Sequence, residues 1–90
     1  MENRTSSIPL EFRPLFEART AHDSIRAAVS LLVNTPPTRQ IAILSDPIFQ
    51  QALSGALAGV DEECVKDHEA KIISCIAEEN RKAAYTLIFN

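Results

Sequence analysis

Ninety residues, 46% of them hydrophobic and with a formal net charge of −3, suffice for one modest core and are too apolar for a disordered chain. The acidic balance provides no general attraction to nucleic acid or to an anionic lipid surface. No apolar run approaches the roughly 20 residues that span a bilayer, which argues against a membrane protein.

Residues Met1 to Ser7 are polar and lack the apolar block of a signal peptide, so they read as a flexible tail before one helical domain over residues 8–90. Ile8-Pro9-Leu10-Glu11-Phe12 alternates apolar with other residues and is either a short extended arm or the entry to a helix. From about Pro14 to Asn34 the spacing predicts a long helix with Ala18, Ile25, Val29 and Leu32 on one face and Ala21 and Ala28 beside them. Thr20 followed by Asp23 also resembles a capping box, which would start that helix later, near Ala21. Phe16 and Leu31 point away from the main stripe, leaving this helix apolar over a wide arc.

Asn34-Thr35-Pro36-Pro37 ends the first helix, with Thr35 placed to cap the next and Pro36 at its first position. The apolar run Ile41 to Leu44 fits either a short buried helix or a buried strand. Asp46-Pro47 signals a further helix from Pro47 to Ala58, with Phe49, Leu53, Ala56 and Leu57 on one side; Gly59 stops it. Gly55 inside that helix marks a close crossing.

The segment from Asp61 to about Lys82 has the clearest amphipathic pattern in the chain. Val65, Ile72, Ile76 and Ala83 share a stripe flanked by Ile73 and Cys75, and Asp61 serves as N-cap. Glu62 and Glu63 suit the positive end of the helix dipole, and Arg81 and Lys82 the negative end. The ending, Tyr85 to Asn90, is apolar and β-prone. The expected fold is all-α, a small bundle of two long and two short helices. The alternative is α+β, with a two-strand pairing of 40–44 and 85–89.

Reactive chemistry is sparse. Cys64 and His68 are four apart, a spacing that lets two side chains share one metal ion, with His22 the one other histidine that could join. Two ligands are half a structural shell, so no metal and no cofactor are expected. Cys64 and Cys75, eleven apart, are separated by about 16 Å along one helix and cannot bridge; reduced thiols point to the cytoplasm. The acids around Cys64 would raise a thiol pKa rather than lower it, and there is no glycine-rich phosphate loop, so no enzyme is expected. Asp23-Ser24-Ile25 resembles the prosthetic-group serine of acyl carrier proteins over three residues. His22 stands where the glycine belongs and the serine comes too early, so Ser24 reads as a first-turn residue.

What remains is apolar surplus. The expected function is a protein-interaction module (a regulator, adaptor or inhibitor) that binds a partner protein and pairs as a homodimer. Phe16, Leu31, Ile73, Leu87 and Phe89 are its candidate anchors. The alternative is a nucleic-acid-binding regulator that uses Arg13, Arg19 and Arg26, of which Arg19 and Arg26 lie seven apart on one helix face. Against it, residues 40–65 contain no Lys or Arg, although they hold the pair of short helices that would form a helix-turn-helix, with Gln50 and Gln51 facing the bases.

Overall fold

Side-chain caps and prolines begin several of the helices in the computed structural model, which describes residues 9–89. A 3-10 turn, Leu10–Phe12, enters α1 (Arg13–Glu17), followed by α2 (Ala21–Val33), α3 (Pro37–Ser45), α4 (Pro47–Ala58), α5 (Glu62–Ser74) and α6 (Glu78–Ile88). The fold is all-α. No strand is present among the described residues, so the alternative pairing of 40–44 with 85–89 is overturned: 40–44 lies in α3, and α6 runs to Ile88. No described helix is long and apolar enough to cross a membrane. The tail at 1–7 lies outside the described residues.

Each long helix expected from the sequence is two helices. The first breaks after Glu17, where Thr20 turns extended (φ −127°, ψ 159°) and its Oγ1 accepts from the Asp23 amide at 3.1 Å. Ser24 closes the break from the other side. Its buried Oγ donates to the Leu15 carbonyl at 2.9 Å and so takes up an orphan acceptor at the end of α1. The later helix start at Ala21 is therefore the one adopted.

The second break, at residues 75–77, contains neither proline nor glycine. It is held from a distance by Gln40, a buried α3 residue only 3% exposed. Gln40 Nε2 donates to the Cys75 carbonyl at 3.1 Å, and its Oε1 accepts from the Ala77 amide at 2.9 Å. The same Nε2 reaches the Leu32 carbonyl at 3.1 Å, and Asn80 Nδ2 donates both to Gln40 Oε1 and to the Pro37 carbonyl. One side chain thus takes up backbone groups freed by two helix ends and one helix start. Because α6 begins at Glu78, Arg81 lies near its start rather than at a C-terminus, and its Nε donates to the Ile76 carbonyl at 3.0 Å.

The break also shifts the helical register. Ala84 is fully buried and Ala83 exposed, the reverse of what one continuous helix requires. Several caps differ in detail. Thr35 donates to the Leu31 carbonyl at 2.7 Å to close α2, and α3 starts from Pro36 with Pro37 as its first residue. Asp61 occupies the N-cap of α5 without a side-chain hydrogen bond, whereas Asp46 Oδ1 accepts from the Ile48 amide at 2.9 Å.

The core forms where α2 packs against α1, α4 and α5, with α3 against α6. Ile25, Ala28 and Leu32 of α2 share one buried cluster with Phe49, Leu53 and Ala56 of α4, Ile72 of α5 and Ile76 of the turn after it. Phe12 joins through its ring, 5.7 Å from that of Phe49. The close approach of helices is at Gly59 rather than Gly55. A β-carbon on Gly59 would lie 3.1 Å from that of Ala21, while one on Gly55 would meet nothing within 4 Å.

Candidate functional site

The Thr20 cap sets the start of α2 and places His22 in its first turn, with Arg26 one turn later on the same face. On α5, His68 and Lys71 share a face at a spacing of three. Packing of α2 on α5 brings these two pairs together. The rings of His22 and His68 lie 5.0 Å apart with their planes at 56°. Ile25 and Val29 complete a cleft of about 190 Å³ whose lining contains no acid. Asp23, next to it in sequence, holds Arg26 loosely at 3.8 Å in an exposed pair that contributes little.

His68 Nδ1 is buried and has no hydrogen-bond partner. An unpartnered buried polar atom ordinarily costs about 1–3 kcal/mol. The sequence links His68 to Cys64 instead, with His22 arriving from elsewhere. His22 does arrive, but no three His, Cys, Asp or Glu side chains group around a metal position among the described residues. The nearby Arg26 and Lys71 would also repel a cation. Cys64 and Cys75 are free and half-buried. Ser24, hydrogen-bonded and buried, acts as a structural residue between α1 and α2 rather than as an attachment point.

The expected interface anchors divide. Phe16 stands exposed on α1, while Leu31, Leu87 and Phe89 are half-buried and lean against the core. Ile73 belongs to the core itself, 8% exposed, because α5 turns both Ile72 and Ile73 inward. Three exposed residues did not stand out in the sequence: Leu10 at 77%, Val33 at 61% and Tyr85 at 52%. Leu10 and Val33 are chain neighbours of Glu11 and Asn34, which rim a shallow groove of about 250 Å³ with Pro14, Ala27 and Leu31. Phe16 lines a second groove between α1, α2 and α4.

The three arginines do not form a helical stripe. Arg19 precedes the cap of α2, so its seven-residue spacing from Arg26 no longer places the two on one face. Arg13 opens α1. The two short helices proposed for base reading are joined by Asp46 alone, and Gln50 is engaged with the Leu44 carbonyl at 2.7 Å.

Comparison of the chain with protein-family models, with curated proteins and with solved structures finds no match, so function is argued from the residues of this chain.

Proposed function

We propose that this chain is a small helical protein-interaction module that acts by occupying a partner's surface and pairs with a second copy of itself. One observation carries the reading. The entry turn and α1 leave Leu10 and Phe16 exposed outside the core, and Phe16 lines a shallow groove between α1, α2 and α4. A large apolar side chain exposed on concave surface favours burial against another protein. Tyr85 of α6, its ring 5.9 Å from that of Phe89, adds a second aromatic surface that a partner could cover. A regulator, adaptor or inhibitor works by such contacts and requires no reactive centre.

Light scattering on the full chain, from micromolar to millimolar concentration, tests the pairing. A mass rising toward twice 9.9 kDa is expected. The double variant Leu10→Ser, Phe16→Ser should remain at the single-chain mass and keep its helical circular dichroism, with a lower thermal midpoint because Phe16, 43% exposed, also packs within the chain. A single-chain mass at every concentration removes the homodimer.

A further inference from the structure

We propose that the cleft between α2 and α5 binds a small organic carboxylate, its anionic group held by Arg26 and Lys71 and its apolar body lying against Ile25 and Val29. The lining carries two permanent cations and two imidazoles and no acid, in a chain with twelve acids and nine basic residues. Such a concentration of one sign sets the local potential against that of the whole molecule and favours an anion. The Arg26 guanidinium has a fork geometry that matches a carboxylate, and its tie to Asp23 is a 3.8 Å exposed pair that a ligand can displace.

Two further features narrow the ligand. The imidazoles of His22 and His68, their rings 5.0 Å apart, add two further ring systems to the lining, each with an N–H that can donate to an anion. Ile25 and Val29 give the cleft an apolar wall, and its volume of about 190 Å³ suits a single ring or short aliphatic chain. Inorganic phosphate meets the charge requirement but leaves that wall uncovered. A neutral molecule of the same shape covers the wall but gains nothing from the cations.

Titration of the isotopically labelled full chain followed by amide chemical shifts tests this, with benzoate, benzyl alcohol and inorganic phosphate as probes. Benzoate is expected to move the resonances of His22, Ile25, Val29, His68 and Lys71, and to bind at least tenfold more tightly than either other probe. The variant Arg26→Gln, Lys71→Gln, altered at two exposed positions, should keep its helical circular dichroism and lose benzoate affinity at least tenfold. Three results would each overturn the proposal: equal binding of benzyl alcohol, phosphate binding as tightly as benzoate, or unaltered affinity in the Arg26/Lys71 variant.

Discussion

Gln40 ties three parts of this fold together. It is buried, and both ends of its amide are engaged, with α2, with the turn after α5 and with Asn80 of α6. Gln40→Leu would keep most of the volume and strip the Cys75 carbonyl and the Ala77 amide of their partner, while the Leu32 carbonyl keeps the Thr35 amide at 3.2 Å. With these two orphans costing about 1–3 kcal/mol each and some relief from water at the partly buried sites, the loss should be about 2–4 kcal/mol. Urea unfolding measures it, and a loss below about 1 kcal/mol would mean the network is dispensable. The two glycines separate in the same way. Gly55→Ala fills open space and should stabilise α4 by about 0.5–1 kcal/mol through backbone entropy. Gly59→Ala should not share that gain, because its β-carbon would press on Ala21 at 3.1 Å. Nothing in the sequence distinguishes these two glycines by packing, since the contact that separates them comes from α2.

The helices differ in how they are punctuated. Where a cap or proline lies at the boundary, the start was readable: Thr20 for α2, the Pro36-Pro37 pair for α3 and Asp46-Pro47 for α4. Thr20→Ala should therefore cost about 1 kcal/mol through the lost bond to the Asp23 amide. Thermal unfolding reports it, and no change would mean that packing alone starts α2. The turn between α5 and α6 has no such mark. Its Ala77 amide should be protected from hydrogen exchange in the native chain and lose that protection in Gln40→Leu, ahead of the amides within α5. Protection unchanged in the variant would show that the break does not depend on Gln40.

The whole assembly is built around α2, which packs against α1, α4 and α5. Leu32 is completely buried there, so Leu32→Ala should cost about 2–5 kcal/mol, measured by denaturant midpoint. The contrast with Leu10→Ser, exposed and nearly neutral for folding, separates the core from the surface offered to a partner. Much of the core was legible in the apolar stripes, with Ile25, Leu32, Phe49, Leu53, Ile72 and Ile76 buried as their spacing predicts. The candidate cleft was not. His22 and Arg26 lie one turn apart on α2, but the ring contact of His22 with His68 joins residues 46 positions apart in the chain, which no local pattern shows.

Helical character and most helix starts follow from forces acting over three or four residues: apolar spacing, an N-cap oxygen reaching a nearby amide, a proline that cannot continue a turn. Such forces can be read along the chain. The break at 75–77, the exchange of Ala83 for Ala84 in the core and the burial of Ile73 depend instead on the packed arrangement of the helices. Gln40 reaches partners 35 and 37 positions away, and bonds over that distance exist only once the helices have packed.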